Sequence, residues 1–79
     1  MNILVIEDEA LVALSLMELV RTLEPAAVLE GPLVSVQQSV QWLKTHATPD
    51  LILCDIQLAD GISLDIFNNL PIDCPIIFT

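Results

Sequence analysis

The sequence predicts an α/β domain built on a doubly wound parallel sheet, and three observations predict it. Ile3 to Ile6 and Leu51 to Cys54 are continuous apolar runs, the pattern of strands buried on both faces. Segments with helical spacing alternate with the strand-like runs, which implies βαβ units with right-handed crossovers. Both buried runs end on carboxylates, Glu7-Asp8 and Asp55, and in such sheets ligands bind outside the carboxyl ends of the strands.

Each element has its own signature. Glu9 to Glu24 has helical periodicity, with Val12, Leu16, Leu19, Val20 and Leu23 on one stripe and Pro25 as the stop. Acids near its start and Arg21 near its end suit the helix dipole. Ala26 to Glu30 reads as a weaker second strand, after which Gly31-Pro32 is expected to turn the chain. Ser35 with Gln38 reads as a capping box that opens a helix to about His46, with Val36, Val40 and Leu43 inward and Trp42 at the margin. Thr48-Pro49-Asp50 is a loop, Leu51 to Asp55 the third strand, and Asp60-Gly61 a tight turn. Ser63 should cap a short helix through Leu70, with Leu64, Phe67 and Leu70 inward. Pro75 to Thr79 begins or forms a fourth strand. Leu11, Leu14 and Met17 lie off the main stripe of the first helix, and so wide an apolar surface wants two neighbours. Either the 79 residues are part of a longer α/β domain or oligomerisation covers these surfaces.

Composition narrows the function classes. Hydrophobic residues make up 54% of the chain, above the usual share of about 45–50% and unlike a disordered segment. The net charge is −9, with Arg21 and Lys44 the only basic residues besides His46. No basic footprint is present to neutralise phosphates, so this chain is not expected to bind nucleic acid or an anionic membrane. "MNILVIEDEA" lacks the basic start of a signal peptide. The longest apolar run, Ala10 to Met17, is interrupted by Ser15 and is too short for a bilayer. Cys54 and Cys74 fall at opposite ends of neighbouring strands, too far apart to bridge. Free buried thiols and a cytoplasmic location are expected.

If the first and third strands are neighbours, Glu7, Asp8 and Asp55 face one crevice. Two unit charges about 5 Å apart repel by roughly 3 kcal/mol at an effective dielectric of 20, so a proton or a cation must intervene. Oxygen-only ligands in a small open site favour Mg²⁺, which would leave coordination positions for a phosphoryl group. Asp55 then reads as a nucleophile. The Gln57 backbone carbonyl is placed to meet the metal, and the Thr79 hydroxyl to hydrogen-bond a phosphoryl oxygen. Simpler roles stand beside these. Glu7 and Glu9 suit a helix N-terminus, Asp8 could be its N-cap, Thr79 an ordinary strand residue, Asp60 turn chemistry, His46 a solvated helix end and Trp42 packing. The combination of an acid pair after the first strand, an Asp after the third and a Thr after the fourth is far more specific than any one of them.

The stretches "ILVIEDE", "LILCDIQLADG" and "PIIFT" resemble the receiver domain of two-component response regulators. "DIQLADG" and "PIIFT" look more particularly like the LytTR class, whose receivers precede a DNA-binding output domain. The resemblance covers residues 1–79 and implies a flavodoxin-like sheet in strand order 2-1-3-4, with the family's fifth strand and last helices missing. It implies that Asp55 accepts a phosphoryl group from a histidine kinase, that Asp8 binds Mg²⁺ directly and Glu7 mostly through water, that the Gln57 carbonyl completes the metal site, and that Thr79 is the switch residue. Partners would be the kinase and an output domain in the parent protein. The exposed fourth strand is a sticky edge that would favour a homodimer or strand exchange.

The chain departs from the family pattern in three ways. The lysine of the fifth strand is absent, as is the switch aromatic, and Ala59 replaces the usual proline. No enzymatic activity is expected beyond autocatalysed phosphorylation of the aspartate. Two other readings compete. One is a degenerate receiver that acts only through protein contact. The other is a Mg²⁺-dependent phosphohydrolase, which needs an acid or another water-activating group two residues after the nucleophile, where this chain has Gln57.

Overall fold

The computed structural model describes residues 1–68 and 70–79. The elements follow as β1 Asn2–Ile6, α1 Ala10–Leu23, β2 Val28–Leu33, α2 Val36–Thr45, β3 Leu51–Cys54, β4 Gln57–Leu58, β5 Gly61–Ile62, α3 Leu64–Asn68 and β6 Ile76–Phe78. Four strands form a parallel sheet in the order β2-β1-β3-β6. This is the expected 2-1-3-4 order, with β6 as its fourth member because β4 and β5 form a separate antiparallel hairpin.

Burial explains the two central strands. Ile3, Leu4, Val5 and Ile6 are all buried, as are Ile52, Leu53 and Cys54. Their side chains alternate between the faces. Leu4, Ile6, Ile52 and Cys54 pack with Leu33, Leu58 and Ile66 beneath α2 and α3. Ile3 and Leu53 pack against Val20 and Leu16 of α1 on the opposite face. A strand covered on both sides leaves no position for a polar residue, and so both runs are apolar without a break.

Helix α1 is present but rotated from the expected stripe. Ala13, Met17 and Val20 are its buried residues, with Leu16 packed beside them. Val12, Leu19 and Leu23 remain 45%, 54% and 69% exposed. The helix is apolar over most of its circumference, and two stripes with i, i+3, i+4, i+7 spacing compete. The one centred on Ala13, which is 1% exposed, is the one buried. Helix α2 starts as expected. The Ser35 hydroxyl accepts the Gln38 amide at 3.0 Å, and Gln38 reaches back to the Val34 amide at 2.8 Å. In α3 the buried residue is Ile66. Leu64 is half exposed, and Phe67 and Leu70 only flank the core. The expected helix through Leu70 is described over Leu64–Asn68; Leu70 is not helical, and Asn69 lies outside the described residues.

Gly31-Pro32 does not turn the chain but lies within β2. The register slips here: Leu4 pairs with Glu30, yet Ile6 pairs with Leu33, so β2 carries one extra residue. Gly31 accommodates it at φ +101°, and a Cβ there would collide with the Val5 carbonyl oxygen. Pro32 costs no ladder bond that a central strand would need, because β2 is an edge strand. Both cysteines are free, Cys54 buried and Cys74 half-buried. Among the described residues no helix is long and apolar enough to cross a membrane.

The bulge yields a stability prediction. Gly31→Ala should destabilise the fold by at least about 1–3 kcal/mol, through an unfavourable φ and a backbone collision. Urea denaturation followed by circular dichroism measures this, and an unchanged midpoint would contradict the bulge.

Candidate functional site

Strand register brings the predicted acids together. Ile6 and Cys54 are partners across β1 and β3, so the residues after them share one edge of the sheet. Three further backbone bonds carry the ladders past the strand ends. Glu7 N–H donates to the Leu33 carbonyl at 2.8 Å, Asp55 N–H to the Ile6 carbonyl at 2.9 Å, and Thr79 N–H to the Cys54 carbonyl at 2.9 Å. Glu7, Asp55 and Thr79 are thereby held as continuations of the sheet rather than as free loop residues.

One carboxylate oxygen each from Glu7, Asp8 and Asp55 lies within 4.8 Å of the others. Glu7 is buried, at 4% exposure, and Asp55 is half-buried. Burial pushes the Glu7 carboxyl above the usual carboxylate range, the Glu9 amide pulls it back, and contact with Asp55 and then Asp8 raises it further. The Glu9 N–H donates to Glu7 Oε2 at 3.2 Å. Among the described residues, no basic side chain is among the groups that act on the Glu7 carboxyl. Arg21 and Lys44 sit in the last turns of α1 and α2, whereas the acids follow the C-terminal ends of β1 and β3. The site therefore calls for a proton or a cation from solution, and its oxygen-only donors suit a hard divalent ion such as Mg²⁺.

The simpler roles fare unevenly. Glu9, not Asp8, occupies the N-cap position of α1, and no side chain caps it. Asp8 is thus free of the helix-capping role, whereas Glu7 does accept an amide of the α1 N-terminus. Gln57 lies exposed in β4, two residues past Asp55. Thr79 is tied through its backbone to the residue before Asp55. His46 stacks on Trp42, with ring centroids 4.1 Å apart, at the far end of α2. An open groove of about 610 Å³ runs along α2 past Leu33, Gln38, Trp42 and His46. None of the three acids lines it, so this groove and the charged crevice are different places.

Sequence reasoning missed the roles of two residues that follow Asp55 in the chain. Asp60 does more than turn the chain. Its carboxylate accepts the Val36 amide at 2.6 Å and the Gln37 amide at 3.1 Å, at the N-terminus of α2. Those amide bonds hold its carboxyl below the usual range. Ser63 is fully buried, and it precedes α3 while its side chain reaches away from that helix. Its hydroxyl and its N–H both donate to the Ile56 carbonyl, at 3.1 and 2.8 Å. Asp60 precedes a glycine and Ser63 precedes a helix, and such local cues say nothing of partners elsewhere in the chain. Burial pushes the Cys54 thiol up, so it stays protonated and donates to the Asp55 carbonyl at 3.2 Å.

The chain is similar to the phyllosphere-induced regulator PhyR of Methylorubrum extorquens, with 42% identity over 80 residues, covering 98% of this chain and 29% of that protein. It thus spans about 29% of the length of that relative. No protein-family model matches the chain, and no solved structure does.

Repulsion within the cluster has a measurable consequence. Asp55→Asn removes one of three crowded charges, each pair of which is worth up to about 3 kcal/mol at an effective dielectric of 20. In a chelating buffer at pH 7 the variant should be more stable than the parent by about 1–3 kcal/mol, and the gain should shrink as pH falls. The sign follows from Glu7: a carboxyl raised on folding binds more protons in the folded state, so the parent gains stability as pH drops from above its raised pKa toward the ordinary value. Equal stability of the two proteins at pH 7 would count against the cluster.

Proposed function

We propose that the chain is a receiver module of a two-component regulator, in which Asp55 accepts a phosphoryl group from a histidine kinase in the presence of Mg²⁺. The observation that carries this reading is the convergence of Glu7, Asp8 and Asp55 within 4.8 Å at the edge where β1 and β3 end. Similarity to a regulator over 98% of the chain supports a regulatory rather than a metabolic role. The finer assignment, to a LytTR-class receiver that controls a DNA-binding output domain from the cytoplasm, rests on the "DIQLADG" and "PIIFT" stretches.

In this reading Asp8, Asp55 and the Gln57 carbonyl hold the ion, with Glu7 acting mostly through water. When bound, Mg²⁺ would offset the negative charge of the three acids and of the incoming phosphoryl group. A carboxylate oxygen of Asp55 forms a bond to phosphorus as the P–N bond to the donor imidazole breaks, and the imidazole leaves with a proton from solvent. The chain's own part is positional. The Asp55 amide is bonded to β1 and its carbonyl to the Cys54 thiol, which fixes the backbone from which the nucleophile projects. The product carries about 1.5–2 negative charges, by analogy with other phosphorylated side chains. The Thr79 hydroxyl, on the neighbouring strand end, is the group that answers this new charge. No turnover is proposed beyond this self-phosphorylation.

A second reading, a module that acts only through protein contact, draws on the exposed apolar residues of α1 and on β6. Strand β6 is an edge with Ile77 51% and Phe78 39% exposed, and its sequence Ile-Ile-Phe has no charge to discourage pairing with another copy.

Two experiments address these readings. Intact mass after treatment with acetyl phosphate and Mg²⁺ should show one phosphoryl adduct on the parent chain and none on Asp55→Asn. A folded parent with no adduct would favour the contact-only module. In sedimentation velocity, the parent should associate with rising concentration, and Ile77→Lys should reduce that association at least several-fold. Identical profiles would remove β6 as the contact.

A further inference from the structure

We infer that Ser63 and Asp60 are positioning residues for the cation: together they anchor the β4–β5 hairpin as a rigid bracket that aims the backbone after Asp55 at the metal. This rests on the reading of the crevice as a metal centre.

The bracket is held at its base, its middle and its tip. At the base, the two carbonyls that precede Gln57 are both engaged. The Asp55 carbonyl accepts the Cys54 thiol at 3.2 Å. The Ile56 carbonyl accepts both the N–H and the hydroxyl of Ser63 at 2.8 and 3.1 Å. Ser63 is 0% exposed, so its hydroxyl has no water to turn to. In the middle, Leu58 is buried in the core cluster with Ile66. At the tip, Asp60 grips the Val36 and Gln37 amides of α2 at 2.6 and 3.1 Å. The turn itself is tight: Leu58 pairs with Gly61, which leaves only Ala59 and Asp60 between the strands, and Gly61 takes a φ of +151°.

Gln57 lies between the base and the tip. Its carbonyl is neutral, so it binds a cation usefully only when aimed. Mg²⁺ demands near-ideal octahedral geometry at about 2.0–2.1 Å, whereas Ca²⁺ accepts irregular cages at about 2.3–2.6 Å. A bracket that sets direction therefore matters more for Mg²⁺ than for Ca²⁺. Ser63 is the cleaner probe, because its removal changes no charge: a loss of affinity in Ser63→Ala cannot be Coulombic. Asp60 lies on the exposed surface, so Asp60→Asn tests the tip without opening the core.

The test is calorimetric titration of the 79-residue chain with Mg²⁺ and, separately, Ca²⁺, for the parent, Ser63→Ala, Asp60→Asn and Asp55→Asn, with circular dichroism to follow folding. Ser63→Ala should weaken Mg²⁺ binding by about tenfold, as loss of an outer-shell partner does, and Ca²⁺ by much less. Asp60→Asn should shift the same ratio in the same direction. Unchanged Mg²⁺ affinity, or an equal loss for both ions, would overturn the bracket while leaving the metal centre standing. If Ser63→Ala does not fold, the ratio in Asp60→Asn decides. A folded parent that binds neither ion would sink the metal-centre reading itself, and the bracket with it.

Discussion

Three carboxylates that repel one another are the constraint around which this fold is arranged. Left in water they would move apart. Here β1 and β3 lie side by side in parallel, Ile6 beside Cys54, and the acids that follow have nowhere to go. Hydrophobic burial supplies the force. The central strands are covered on both faces, and burying a large aliphatic side chain is worth about 1.5–3 kcal/mol. Several such residues stand behind each acid, against a repulsion of about 3 kcal/mol per pair. The crevice is strained in charge because the strands beneath it are not free to separate.

The same opposition explains which parts were legible in the sequence. Ile3 to Ile6 and Leu51 to Cys54 announce themselves because a strand buried on both faces admits only apolar residues. The acids announce themselves because they interrupt such runs. The stripe of α1 was not legible, although the helix was. Leucine is spread around most of its circumference, so periodicity specifies a helix without specifying its rotation. The buried stripe includes Ala13, a small residue whose burial hydrophobicity scores undervalue. Gly31-Pro32 reads as a turn by composition alone, yet its partners in β1 keep it in the sheet as a bulge.

The crevice was legible in its acids and illegible in its supports. Glu7, Asp8 and Asp55 follow strands and share an edge by topology. Asp60 and Ser63 act across gaps that no local pattern encodes. Asp60 reaches back 24 residues to Val36, and Ser63 reaches back seven to Ile56. Both types have familiar local uses, in turns and caps, and those uses hide the long-range one. Polar residues beside a glycine or at a helix start are where sequence reading most readily stops one step early.

A difference in rigidity runs along the edge that holds the site. Asp55 projects from a central strand, flanked by β1 and β6 and packed above and below. Thr79 follows a three-residue edge strand whose last two residues, Ile77 and Phe78, are exposed, held to β3 at this end by a bond from its own amide to the Cys54 carbonyl. Few buried contacts and exposed backbone bonds mark the low-stability end of a structure. A charge added at Asp55 would therefore meet a fixed backbone on one side and a yielding strand on the other. In the receiver reading, that asymmetry decides the direction of response: the site stays in place, and β6 with Thr79 moves to it.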